Sequence, residues 1–336
     1  MENRDNFQPF RSILLATDFT VVDRVAARYA ALMAQHYAAE LIVAHAFLLQ
    51  QPALEAEILG HTRSMQRGCL ENLLSETINE VAPYTLRVQS FLGEGDPIDV
   101  IAQALQKYRP TMIVLGTHGG GAMDRHLVGS VAETILRQVP DPVLTVGPHV
   151  AMPSMDRLAF RHILYATDFS DAASHASSHA YALAKNFGSD LDVLHVISPD
   201  AMGEYDFLIR REGEVMEALR ESFRPSRAPF RYQTFVELGK TSERILEHAR
   251  ERGNDLIVLG AHQHSRLAMH LRTGPAFQTI INAACPVLTV CAAQEQPSIQ
   301  VKGVEKELLP SDDLVGFGPE VRVRASDRAR PSDQQA

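Results

Sequence analysis

The sequence predicts an α/β protein made of two tandem, doubly wound parallel sheets. Three observations carry this. Short apolar runs lack the polar alternation of a half-exposed sheet, as expected for strands buried on both faces. The segments between them have helical periodicity. The whole series then recurs once along the chain.

The recurrence is the most specific of the three. RSILLATDFT at 11–20 matches RHILYATDFS at 161–170, an offset of 150. LIVAHAF at 41–47 matches LDVLHVI at 191–197 at the same offset. MIVLGTHGG at 112–120 matches LIVLGAHQH at 256–264, and PVLTV at 142–146 recurs at 286–290, both at offset 144. Four matches in one order mark a duplicated domain. The change of offset falls mid-domain, where loops and helix lengths vary most.

In the first copy, strands are expected at 12–17, 41–47, 84–92, 112–115 and 143–146. Helices are expected at 23–37, 52–81, 96–108 and 128–138. Val25, Tyr29, Leu32 and Met33 fall at helical spacing. Asp96-Pro97 is an N-cap followed by proline at the first helical position. In the second copy, strands are expected near 162–166, 191–197, 230–237, 256–259 and 287–290. Strand–helix alternation in this order implies a parallel sheet covered by helices. The domain limits are 1–148 and 159–292. Residues 293–336 are rich in Gln, Pro, Ser, Asp and Arg, too poor in apolar surface to offset the entropy of ordering. They read as a disordered tail, with 304–314 as a short docking segment within it.

Composition narrows the function. The chain has 336 residues, 45% hydrophobic and 22% charged, with net charge −9. The acidic balance and the lack of a basic run argue against nucleic acid. Three cysteines without a CxxC pair argue against a disulfide framework or a cysteine-rich metal site. The N-terminus has no apolar signal core, and no run approaches the ~18 apolar residues of a membrane helix. A cytoplasmic protein without membrane contact is expected.

The chemistry concentrates after strand four of the first copy. Gly116, Gly119 and Gly129-Ser130 form the pattern G-x2-G-x9-G-S. Glycines there let backbone approach a ligand, and a helix opening at Ser130 offers free N–H groups and a positive dipole end. Together these suit phosphate. In an open α/β sheet the ligand crevice lies beyond the carboxyl ends of the strands, so Thr17 and Asp18, ending strand one, should face this loop. The pattern is neither a Walker loop nor a dinucleotide fingerprint.

ATDFT/ATDFS, AHAF and LHVI, LGTHGG…VGS, and PVLTV together resemble the universal stress protein family over residues 10–147 and 160–291. The resemblance implies a five-stranded sheet of order 3-2-1-4-5, like adenine nucleotide alpha hydrolases. It also implies pairing of the two domains through strand five into a pseudo-dimer. By position, Gly116, Gly119, Gly129 and Ser130 would contact the phosphates of ATP, bound alone or with Mg²⁺. Thr17, Asp18 and Ala46 would line the adenosine pocket, and Val131 would follow the loop. The resemblance supplies no catalytic set and no protein metal ligands, and at most weak ATP hydrolysis. It points to a nucleotide-dependent regulator of the stress response with an unidentified protein partner. A homodimer of the whole chain stays open. A slow ATPase and a non-binding dimerisation module are the alternatives.

The second copy departs from the pattern. Gln263 stands for Gly119, and Thr273-Gly274 for Gly129-Ser130, followed by Pro275. A long side chain should crowd the phosphate path, and the proline removes a helix-start N–H. ATP is therefore expected in the first copy alone. His45 and His195, set among apolar strand residues, read as satisfied core histidines. His262, His264 and His270 lack the partners of a standard metal site.

Overall fold

The computed structural model describes residues 10–47, 56–85, 87–117, 129–154, 160–198, 213–219, 229–261, 274–291 and 321–325. The first copy contains β1 (Ser12–Ala16), α1 (Val21–Tyr37), β2 (Glu40–Phe47), α2 (Ala56–Val81), β3 (Arg87–Glu94), α3 (Pro97–Tyr108), β4 (Met112–Gly116), α4 (Ser130–Gln138) and β5 (Val143–Val146). The second contains β6 (His162–Thr167), α5 (Asp171–Phe187), β7 (Asp190–Ile197), α6 (213–219), β8 (Tyr232–Leu238), α7 (Thr241–Arg252), β9 (Leu256–Ala261), α8 (Pro275–Asn282) and β10 (Val287–Cys291). Every strand expected from the sequence is present. The largest shift is at β3, which starts at Arg87 because Ala82–Tyr84, holding Pro83, form a 3₁₀ turn first.

Local chemistry sets the helix ends. Thr20 and Ser170 cap α1 and α5, accepting from the N–H of Asp23 at 3.4 Å and of Ala173 at 3.2 Å. Asp96 caps α3 through the Ile98 N–H at 2.9 Å, as its sequence context predicts. Gly188 and Gly253 close α5 and α7 in the left-handed region, where a side chain would be strained.

The strands form one sheet of order β11-β8-β7-β6-β9-β10-β5-β4-β1-β2-β3. Each copy contributes a parallel 3-2-1-4-5 unit, and the units join through an antiparallel β5–β10 pair. Strand five thus pairs the two domains within one chain. Thr145 and Thr289, from the repeated PVLTV, sit buried at this seam. Thr145 donates to the Val287 carbonyl at 3.0 Å and Thr289 to the Val143 carbonyl at 3.2 Å. Each such bond contributes about 1 kcal/mol. The double variant Thr145→Val/Thr289→Val should lose about 2 kcal/mol of stability, read from its urea midpoint.

Both faces of the seam are packed. On one, α1 meets α5: His36 stacks on Phe187 at 3.9 Å, and Tyr37 meets Phe187 edge-on at 6.0 Å. On the other, Phe277 and Ile281 of α8 join the cluster around Ala132, Ile135 and Val139 of the first copy. A core shared this way removes apolar surface of both copies from water together.

The remaining strand, β11 (Val321–Ala325), lies parallel to β8 and extends the second copy's edge. It comes from the segment read above as a disordered tail; at 321–325 the alternating VRVRA, which that reading passes over, has the period of a strand. Residues 304–314 lie outside the described residues.

Candidate functional site

β1 and β4 are neighbours, so their carboxyl ends come together. After β1, Thr17 is nearly buried, and its hydroxyl accepts the Phe19 N–H at 3.0 Å. Asp18 is exposed, and its Oδ1 accepts the Thr20 N–H at 3.0 Å. Between them the chain turns at Phe19 with φ 64°, a left-handed conformation that a side chain seldom adopts. Ala46, half-buried near the end of β2, lies beside this turn, since the Thr17 N–H bonds the Ala44 carbonyl at 3.0 Å.

After β4, the buried Thr117 donates its N–H to Val146, and its carbonyl accepts the Gly129 N–H at 2.8 Å. This bond returns the chain to the strand end and sets the start of α4 there. Gly129 occupies the N-cap, with no side chain to satisfy the first-turn N–H groups. Ser130 opens the helix on the exposed side, while Val131 packs half-buried against the core. Thr17, Asp18, Ala46, Gly116, Gly129, Ser130 and Val131 therefore share one end of the first copy's sheet. Gly119 lies outside the described residues, as do Gln263, Thr273, His262, His264 and His270.

Asp23 is the residue that sequence reasoning passes over. It lies in the first turn of α1, nearly buried, and its Oδ2 accepts the Asp18 N–H. A Cβ at Gly116 would overlap its Oδ1 and approach Val22 at 3.2 Å. The glycine ending β4 thus has a packing reason as well as any ligand reason. Burial, then the side chain and charge of Asp18, hold the Asp23 carboxyl well above the usual carboxylate range. The signal for it was available: the repeat places Asp23 opposite Ala173.

The second copy builds the same turn without that acid. Phe169 has φ 63°, Thr167 accepts the Phe169 N–H at 3.1 Å, and Asp168 accepts the Ser170 N–H at 3.0 Å. His45 and His195 bond the Thr17 and Thr167 carbonyls at 2.7 and 2.8 Å. Nδ1 donates to a carbonyl in each, and burial lowers both histidines' pKa, so they are satisfied neutral residues. Gly260, the partner of Gly116, packs against the backbone of α5. Gly274 caps α8 and Pro275 opens it, one N–H fewer than at α4.

A parallel 3-2-1-4-5 sheet covered by helices, with a glycine-opened helix beside the end of strand one, defines each copy as a doubly wound α/β domain. Known proteins sharpen the assignment. The universal stress protein family profile matches residues 9–147 and 159–290, so the chain belongs to that family in both halves. It is 25% identical to a universal stress protein of Mycolicibacterium smegmatis over 293 residues, covering 83% of this chain and 96% of that one. It is 31% identical to one of Thermus aquaticus over 142 residues, 41% of this chain and 98% of that one. The crystal structure of a universal stress protein from Archaeoglobus fulgidus superposes with a TM-score of 0.65 at 22% identity, covering 86% and 99% of the two chains. Among the described residues, no helix is long and apolar enough to cross a membrane, and no group of three or more His, Cys, Asp or Glu could hold a metal ion.

Proposed function

We propose that this tandem universal stress protein binds ATP in its first copy and acts as a nucleotide-dependent regulator of the stress response. The observation that carries the reading is the bond from the Gly129 N–H to the Thr117 carbonyl. It puts the two ends of the G-x2-G-x9-G-S series, one at a strand exit and one at a helix start, against each other. That arrangement supports a phosphate site made of the first-turn N–H groups and positive end of α4, at the same end of the sheet as Thr17 and Asp18. The second copy lacks the second glycine of the series and opens α8 with proline, which supports a single working site.

Binding without a built-in reaction fits a regulator. The ligand then acts through its different affinity for two states of the crevice or of the paired domains. Calorimetric titration of MgATP into the whole chain should give one ATP per chain, and Gly119→Gln should reduce affinity by at least about tenfold, or 1.4 kcal/mol. Two ATP per chain would make the second copy a working site. Absence of binding by the unmutated chain would overturn the reading.

A further inference from the structure

The second copy carries a buried charged cluster where the first has an apolar core. Asp192 on β7, Glu237 on β8 and His248 on α7 are 6%, 6% and 4% exposed. Strand register and the repeat match them to Ile42, Gly93 and Ala104 of the first copy, and they match Arg252 to Tyr108. The fold therefore does not need these charges, and burying them is costly unless they are paired.

Both nitrogens of the His248 ring face carboxylates. Nδ1 lies 2.7 Å from Glu237 Oε1, and Nε2 lies 3.5 Å from Asp192 Oδ2, within ion-pair range but without a well-formed hydrogen bond. Carboxylates only accept, so the doubly protonated imidazolium is the form that suits both sides. Arg252 grips Asp192 through Nε at 2.7 Å and reaches Gln233 at 2.5 Å, and Asn254 adds a bond to Asp192 at 3.2 Å. The Phe235 ring lies between the two cationic groups, 4.7 Å from His248 and 4.7 Å from the Arg252 guanidinium. With His248 protonated, two positive charges balance two negative ones.

Among the described residues, the other elements against α7 supply no compensating charge. α8 contains no charged residue, and β6 turns Leu164 and Ala166 to this core. On α7 itself, Arg244 and Glu247 pair with each other. Loss of the His248 proton would thus leave one buried negative charge in excess.

We propose that this cluster is a proton-operated latch, which docks α7 on the second copy's sheet while His248 is charged and loosens it when the proton leaves. Burial pulls the proton affinity of His248 down, but Asp192 and Glu237 raise it above the usual 6.5. A histidine raised on folding contributes stability that is complete below 6.5 and is lost as pH rises through its folded pKa. Of the second copy's other shifted groups, burial pushes Cys285 and Tyr165 up to about 12 and Cys291 to about 11, lowers His179 and His195, and raises Asp255 from the carboxylate range.

The test is amide hydrogen exchange of residues 241–252 in the full chain from pH 6 to 9, corrected for the intrinsic rate. Protection should fall by as much as about tenfold per pH unit above 6.5, then level off once His248 is neutral. His248→Gln should flatten the profile. Asp192→Asn/Glu237→Gln, which removes the groups holding the proton, should do the same and serves if His248→Gln does not fold. A flat profile in the unmutated chain, or the same slope in a folded variant, would overturn the latch.

Discussion

Gly260→Ala should destabilise the second copy by about 2–3 kcal/mol, and Gly116→Ala should cost the first copy much less. Gly116 is the last residue of the fourth strand of its copy and Gly260 the last but one, and both meet the first helix. At Gly260 the new Cβ would press on backbone, coming within 2.7 Å of the Ala173 Cα. Relief there requires moving α5 away from a core that includes Ala176 and Leu183. At Gly116 the obstruction is the Asp23 carboxyl and a Val22 methyl, both on side chains that can rotate. Urea midpoints of the two single variants check the difference, and equal losses would contradict it. Gly116→Ala should still weaken ATP binding by about tenfold or more, because Asp23 can yield only by shifting Asp18 or entering the crevice.

Asp23→Ala should raise the stability of the chain by about 1–3 kcal/mol at pH 8, since it removes a buried acid and leaves the residue that its repeat partner already has. The sign follows from the proton. The folded carboxyl is raised above its ordinary 3.8, so the folded chain holds this proton more tightly than the unfolded one. Its destabilising effect is absent at low pH and grows as pH rises above 3.8 toward the folded pKa. The advantage of Asp23→Ala should therefore be small at pH 4 and larger at pH 8, measured by chemical denaturation. An advantage that does not change with pH would mean that Asp23 ionises normally. Stability gained together with weaker ATP binding would identify Asp23 as a residue kept for the site rather than for the fold.

The architecture was legible because its signals are redundant. Ile13, Leu14 and Leu15 have no polar alternation, and the same pattern recurs in Ile163, Leu164 and Tyr165, all nearly inaccessible to solvent. The seam was legible through the repeated PVLTV and the family resemblance, although the sequence does not reveal that its threonines bond across the junction. Single side chains that break a local rule were harder to read. Asp192 sits inside the apolar run LDVLHVI and looks like a surface residue until β8 and α7 bring Glu237, His248 and Arg252 to it. Those partners are 45 to 60 residues away along the chain, and no local periodicity encodes them. Asp23 resembles an ordinary acid in a helix's first turn, favourable to the dipole. Only the end of β4 shows that it is buried. β11 was missed because VRVRA, although it alternates with the period of a strand, is only five residues long in a polar tail, and its partner β8 is more than 80 residues earlier in the chain.

The antiparallel junction of β5 and β10 gives the chain a freedom that a pair of separate subunits lacks. In a symmetric dimer of identical chains, every substitution appears on both sides of the axis. A change that spoils one crevice would spoil both, and a charged cluster under one helix would be duplicated under the other. Here the partner arrives on the same polypeptide, so the halves stay together at any dilution, held by an effective concentration on the order of millimolar or more. The first half can keep Gly119 and a serine at its helix start while the second carries Gln263 and Pro275 and acquires buried ions. Sequence divergence between the halves is thus open to the tethered chain, and it needs no mechanism to sort unlike partners.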